Sequence, residues 1–362
     1  MTRTVLPPAA LAACLVCLAA TACAAGVDGR SAAAQAQQNS DSTSYGTRSE
    51  LPAMAAGISE RRGLDRAWVE TTLAKARYEP SVARLIAPPP TAPGAARNWA
   101  AYRARFVEPV RIRAGVEFWR DNEPALREAE ARWGVPAEIV VGIVGVETLY
   151  GRHMGNYRVL DALTTLSFDF PKVARRDRSG YFRSELEHYL LLCRSRNIDP
   201  LSVLGSYAGA SGMPQFMPSS ILYYAVDFDG DGRTDLHGSP TDVIGSVAHY
   251  LAEFGWQRGM STHYGVNVPV DESHRRVLLA PDILPSFSAA EFAERGAALD
   301  ATGRAHEGPL ALVEVHNGDD APSYVAGTQN FYAITRYNQS SYYALAVIEL
   351  GRAIATVVEA TR

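Results

Sequence analysis

From Leu51 to Trp133 apolar residues recur at helical rather than strand spacing. Leu64, Trp68, Leu73 and Val82 stand between polar positions, and APPPTAPGA at 87–95 breaks the run. The spacing predicts two further helices, 107–119 and 123–133, with Val107, Val110, Ile112, Val116 and Trp119 as apolar marks and Gly134 as the stop. A third follows in PAEIVVGIVGVETLYG, where Pro136 suits a first helical turn and Ile139, Val140, Ile143 and Val144 mark a buried face. Residues 180–196 predict a helix with Leu186, Tyr189, Leu190 and Cys193 inward. Between 263 and 330 the period changes: VNVPV and ALVEV alternate as strands do, with the short helix SAAEFAERGAAL between them. SYYALAVIELGRAI closes the chain as an amphipathic helix.

The ends and the composition narrow the class. Arg3 followed by LPPAALAACLVCLAATAC reads as an export signal. Ala20-Thr21-Ala22-Cys23 fits lipidation at Cys23, Ala22-Cys23-Ala24 fits ordinary signal cleavage, and the prolines and alanines argue against a permanent span. Residues 24–48 are small, polar and aperiodic, as a tether is. With 362 residues, 47% apolar and 20% charged, the chain has the makings of a globular protein of two or three domains. A net charge of −4 without a basic cluster argues against nucleic acid. Once Cys14 and Cys17 leave with the signal, the mature chain holds at most one free thiol besides Cys23, so no intrachain disulfide is expected, and Cys193 is most simply a core residue.

Two stretches carry candidate chemistry. Glu147 lies four residues after Ile143 and three after Val144, on the apolar face. Desolvation there disfavours the carboxylate, and an acid that stays protonated can give its proton to a leaving group. The plain alternative is a helix-end Glu paired with Arg152 in solvent. In GSYAGASGMPQFMPSS, Gly205, Gly209 and Gly212 permit close approaches. Between them Ser206, Tyr207 and Gln215 can bond and stack against a polar ligand, and Pro218 and Ser219 begin a new helix. A structural glycine turn is the alternative. Arg175 and Arg176 in KVARRDR read as solvated surface.

Glu147-Thr148-x-x-Gly151 followed by Gly209-x-x-Gly212-x-x-Gln215 resembles the paired motif of lytic transglycosylases. With LDALTTLSF, AVDFDGDG and FYAITRYNQSSYYALAV, the chain from about residue 50 onward is similar to the membrane-bound lytic murein transglycosylase B family. The resemblance implies a mainly α (α+β) fold: a lysozyme-like core, surrounding helices and a small β-containing subdomain. The expected division is a signal at 1–23, a tether at 24–48, a helical region at 49–134, a core at 135–262, a β subdomain at 263–330 and a returning segment at 331–362. It also implies cleavage of the β-1,4 bond from N-acetylmuramic acid to N-acetylglucosamine, the muramoyl C6 hydroxyl closing on C1 to leave a 1,6-anhydro end. Ser206 and Gln215 would then contact sugar, Tyr337 and Asn338 would return to the cleft, and Tyr343 would line it.

The residues bear on that chemistry separately. Glycosidases usually need two carboxylates. Glu138 lies about half a turn round the helix from Glu147, and Asp161 cannot be placed. A lone acid suits a reaction whose nucleophile the substrate carries. A water-using muramidase on the same fold and a non-catalytic cell-wall-binding protein are the rival readings.

Asp227-Phe-Asp229-Gly-Asp231-Gly232-Arg-Thr-Asp235 opens like an EF-hand loop. Asp227, Asp229 and Asp231 would offer side-chain oxygens to Ca²⁺ and Arg233 its carbonyl. Position twelve is Gly238 where a bidentate Glu is expected. By resemblance Asp242 closes the loop, one residue late. An uncoordinated Asp/Gly turn is the alternative.

Overall fold

A computed structural model describes residues 44–87, 97–172 and 176–361. The export signal, Cys23, most of the tether and Arg175 lie outside the described residues. The described chain forms two compact units, one of residues 97–146 with 248–361, the other of 44–87 with 147–247. The helix Ala137–Thr148 spans the boundary at 146/147. Among the described residues no helix is long and apolar enough to cross a membrane.

In the first unit, Glu108 caps the helix Pro109–Asp121: its carboxylate accepts from the Val110 and Arg111 amides, each at 2.7 Å, with proline in the first turn. The inward side of this helix carries Ala114, Gly115, Val116 and Phe118. Val110, expected as an apolar mark, is 49% exposed, because the turn that Glu108 caps points its side chain outward. Gly134 ends the helix Glu123–Trp133 in the left-handed region at φ 74°.

The helix Ala137–Thr148 is buried all round from Ile139 to Val146, not on one face alone. One side of it crosses the last helix, Ser341–Ala360, at close range. A Cβ on Gly142 would lie 2.3 Å from the Val347 carbonyl oxygen, and one on Gly351 2.1 Å from that of Glu138. The two backbones meet where neither tolerates a side chain. Each aliphatic side chain sealed there is worth roughly 1.5–3 kcal/mol relative to exposure.

The same unit holds a four-stranded sheet of β3 (His263–Asn267), β4 (Ala298–Leu299), β5 (Ala311–Asn317) and β6 (Asp320–Gly327) in the order β4-β3-β6-β5. Its pairs are antiparallel, with Tyr264 opposite Ala326 and Val313 opposite Val325. Tyr264, Leu278, Phe292, Leu299, Leu310 and Leu312 fill one face. β3 begins three residues before the apolar alternation of VNVPV would place it and stops before Pro269, whose ring cannot continue the ladder.

In the second unit, helices Leu51–Arg62, Arg66–Ala74, Val159–Phe168 and Ser179–Ser195 pack together. Leu186, Tyr189, Leu190 and Cys193 are buried as the spacing requires, and burial pushes the Cys193 thiol up to about 12, marking it as structural. Glu187, 5% exposed, is held by Arg61 at 2.7 Å and Arg62 at 3.0 Å. A two-stranded ribbon, β1 (Tyr157–Arg158) against β2 (Leu204–Gly205), leads directly into the glycine-rich loop.

Candidate active site

Glu147 is half-buried at the end of a helix whose preceding eight residues are buried. The chain then turns sharply: Leu149, Tyr150 and Gly151 are successively left-handed, at φ 51°, 57° and 86°. For the two side-chain-bearing residues that conformation is strained by about 1–3 kcal/mol each, and surrounding bonds must hold it. Thr148 supplies them. Its Oγ1 donates to the Met213 carbonyl at 2.8 Å and accepts from the Gly151 amide at 3.0 Å, while its own carbonyl accepts from the His153 amide at 2.9 Å.

The glycine-rich loop is folded on itself. The Ser206 amide donates to the Ala210 carbonyl at 2.8 Å, and the Ala210 amide donates back to Ser206 Oγ at 3.2 Å. Gly209 and Gly212 adopt φ 84° and 75°. Gln215 is itself left-handed at φ 50°, and its amide nitrogen donates to the carbonyls of Met154 at 3.1 Å and Gly212 at 2.9 Å. It therefore fastens the loop to the segment leaving the Glu147 helix and keeps its Oε1 as an acceptor. Glu147, Ser206, Tyr207 and Gln215 are each half-buried, whereas Thr148, Ala208, Gly209 and Phe216 beside them are buried.

After the loop the helix Pro218–Tyr224 begins without a side-chain cap from its own N-cap, Met217. Glu185, 4% exposed, provides it from another helix, accepting from the Ser219 amide at 3.0 Å and hydroxyl at 2.7 Å. Burial raises the Glu185 pKa, and the two Ser219 bonds oppose that. Sequence reasoning passed over Glu185, although it lies in line with Tyr189 and Cys193 at four-residue spacing.

Neither alternative carboxylate resembles a second catalytic group. Glu138 stands in the first turn of the Glu147 helix, where burial raises its pKa and Arg352 opposes. Asp161 commits both oxygens, to Arg158 at 2.7 and 2.8 Å and to the Arg77 amide at 3.0 Å.

In the acidic loop, carboxylate oxygens of Asp227, Asp229 and Asp242 lie within 4.8 Å of one another. Asp242 is 1% exposed and accepts from the amides of Phe228 at 2.7 Å, Asp229 at 3.3 Å and Asp235 at 2.7 Å, so the late residue does reach the loop. Asp231 stands outside that group, its Oδ1 accepting from the Arg233 amide at 2.8 Å. Three converging carboxylates, one of them buried and held by backbone amides, fit a hard cation such as Ca²⁺.

In the other unit, Tyr337 ends the helix Gln329–Tyr337 and Asn338 is its C-cap, both half-buried. The Tyr337 ring stacks on Tyr343 at 6.1 Å and 15° and meets Tyr250 at 4.9 Å. Tyr343, expected to line the cleft, is 1% exposed at the start of the last helix, beneath the ring stacking it shares with Tyr337. Tyr250, unnoticed in the sequence, is fixed by its hydroxyl donating to the Arg336 carbonyl at 2.8 Å.

The model of the transglycosylase SLT domain matches residues 47–352. The chain belongs to this family. It is 42% identical over 304 residues to membrane-bound lytic murein transglycosylase B of Escherichia coli (strain K12), covering 82% of this chain and 80% of that protein. Its fold matches the catenated lytic transglycosylase SltB1 of Pseudomonas aeruginosa with a TM-score of 0.78 and 38% identity, over 87% of this chain and 99% of that one. It also matches the E. coli lytic transglycosylase SLT35 in complex with calcium, with a TM-score of 0.73 and 38% identity, over 86% and 95%. The chain is thus a lytic murein transglycosylase of mainly helical fold, as the motifs around Glu147 and Gln215 implied.

Proposed function

We propose that this enzyme cleaves peptidoglycan glycan strands between N-acetylmuramic acid and N-acetylglucosamine, with Glu147 as both general acid and general base. The protonated carboxyl of Glu147 gives its proton to the glycosidic oxygen as the muramoyl C1–O bond breaks. The substrate's own acetamido oxygen stabilises the cationic C1. The Glu147 carboxylate then takes the C6 hydroxyl proton as O6 bonds to C1, which returns the acid and leaves a 1,6-anhydro end. No water is consumed. Holding that hydroxyl near C1 makes the second step intramolecular, an advantage reaching about 7–11 kcal/mol in well-oriented systems.

The observation that carries this reading is a half-buried carboxylate at the end of a buried helix that Thr148 ties to the bonded glycine loop, with Asp161 engaged by Arg158 and Glu138 in the first turn of the helix. We assign Ser206, through its hydroxyl proton, Gln215, through Oε1, and the half-exposed Tyr207, Tyr337 and Asn338 to the glycan. Ca²⁺ is assigned to Asp227, Asp229 and Asp242, with Asp231 and the Arg233 carbonyl completing the shell, where the ion would neutralise the clustered carboxylates and hold the loop. The lipidation pattern at Cys23 and the membrane-bound relative favour an enzyme of the bacterial envelope, anchored by lipid.

Digestion of purified sacculi in H₂¹⁸O tests the reaction. Released muropeptides are expected to carry anhydro ends without ¹⁸O. Reducing ends bearing one ¹⁸O would instead make the enzyme a muramidase.

A further inference from the structure

A polar cavity of about 340 Å³ lies beside the glycine-rich loop, lined by Glu79, Asn156, Tyr157, Arg158 and Asp161. That volume is at the lower end of small-ligand sites, which run from roughly 300 to 1,000 Å³. Its place is fixed by β1 and β2: Tyr157 pairs with Gly205, the residue before Ser206. At Gly155 a Cβ would lie 2.1 Å from the Gly205 carbonyl oxygen and 2.6 Å from the Ser206 nitrogen, so the wall of the cavity and the sugar-contacting loop touch backbone to backbone.

The lining divides into a fixed part and an available part. Asp161 and the Nε and Nη2 of Arg158 bond each other, and Glu79 Oε1 caps its own helix through Ser81. Among the described residues, Arg158 Nη1, the Asn156 amide, the Tyr157 hydroxyl and Glu79 Oε2 have no hydrogen-bond partner. Three of these groups can donate and one accepts as an anion. Two carboxylates against one guanidinium leave the cavity with an excess negative charge, which disfavours a bare anion. A carboxylate accompanied by its own ammonium group satisfies both halves: the carboxylate on Arg158, Asn156 and Tyr157, the ammonium on Glu79.

We propose that this cavity is a subsite for the stem peptide of the substrate, taking the free amino-carboxylate centre of a diamino-acid residue. The inference rests on the glycan assignment above, which puts a muramoyl residue, and hence its peptide, beside Ser206. It gives the enzyme a means of preferring strands whose peptides are uncross-linked, since a cross-link acylates the ammonium that Glu79 would hold.

Binding and turnover are tested separately, so that failure of the subsite is distinct from failure of the lytic reading. The probe is the soluble tripeptide L-alanyl-γ-D-glutamyl-meso-diaminopimelate, titrated calorimetrically into the full chain. The comparison protein carries Asn156→Ala with Tyr157→Phe, which leaves the Arg158–Asp161 pair intact. The tripeptide is expected to bind, to bind at least fivefold more weakly to the double variant, and to lose affinity when the free amino group of its diaminopimelate is acetylated. In turnover, the ratio of kcat/KM on stem-bearing strands to that on strands stripped by an amidase is expected to fall by a similar factor in the double variant. Equal tripeptide affinity of the two proteins, or indifference to acetylation, would overturn the subsite even with lytic activity intact. Differential binding would sustain it even if the products proved hydrolytic.

Discussion

Thr148 Oγ1 lies 2.8 Å from the Met213 carbonyl oxygen and joins the end of the Glu147 helix to the glycine-rich loop. The hydroxyl is buried, so Thr148→Val removes a donor and an acceptor together and leaves the Gly151 amide and the Met213 carbonyl without it. Each stranded group costs about 1–3 kcal/mol. The larger consequence falls on position: a shift of about 1 Å at Glu147 lowers turnover roughly a hundredfold. We expect Thr148→Val to reduce kcat far more than it raises KM, and Thr148→Ser to restore most of it. Steady-state kinetics on muropeptide release checks this, with equal kcat for the Val and Ser variants counting against the role.

Glu185 gives a second, separable test. Glu185→Ala deprives the helix Pro218–Tyr224 of its cap and leaves Ser219 unsatisfied, a loss of about 1–3 kcal/mol. Glu185→Gln keeps an acceptor for the amide and a donor for the hydroxyl. Because burial raises this group's pKa, its ionised form weakens the fold as pH rises above the ordinary carboxylate value, and Gln removes that burden. Thermal melts at pH 7 are expected to show Ala clearly lowered and Gln at or above wild type.

His263 sets a pH dependence in the sheet unit. Burial, with Arg352 adding to it, lowers its pKa from 6.5 to about 4. Its Nδ1 is 3.1 Å from the Thr262 hydroxyl and its ring meets Phe331 edge-on at 6.2 Å. Between these two pKa values the unfolded chain binds a proton that the folded chain does not. The contribution is therefore full above pH 6.5 and lost as pH falls towards 4. Melting temperature measured from pH 7 to 4 is expected to decline less steeply in His263→Phe than in wild type, and parallel curves would remove His263 from the account of acid sensitivity.

The acidic loop makes a prediction about metal. A ligand present at about a hundred times its dissociation constant adds about 2.7 kcal/mol to stability. Ca²⁺ is expected to raise the melting temperature by several degrees, chelator to reverse it, and Asp227→Asn with Asp229→Asn to abolish the response. Asp231→Asn decides whether that residue joins the shell, since its carboxylate stands apart from the other three.

Much of the helical framework was legible in the sequence because its signals are local. Gly134 sets a helix end, and Leu186, Tyr189, Leu190 and Cys193 share one buried face at helical period. What escaped was set by partners distant in the chain. No period announces that Gly142 meets Val347 and Gly351 meets Glu138, that the Glu147 helix is buried on every side, or that Glu185 caps a helix 33 residues later. β6 also went unread, since Asp320-Ala-Pro-Ser lacks an apolar alternation and gains its order by pairing with β5. At the site, the motif residues stand out in the sequence, but the depth at which Tyr343 sits behind Tyr337 does not. An aromatic ring beside a cleft and one beneath it have the same spacing.

The most direct measurement is the rate of muropeptide release from purified sacculi by Glu147→Gln, taken alongside its binding to the same sacculi. Gln keeps the shape of the side chain and cannot give or take the proton. We expect release to fall by at least about a thousandfold, the loss of both proton-transfer steps, with sacculus binding retained. Release at the wild-type rate would contradict the assignment of the acid to Glu147.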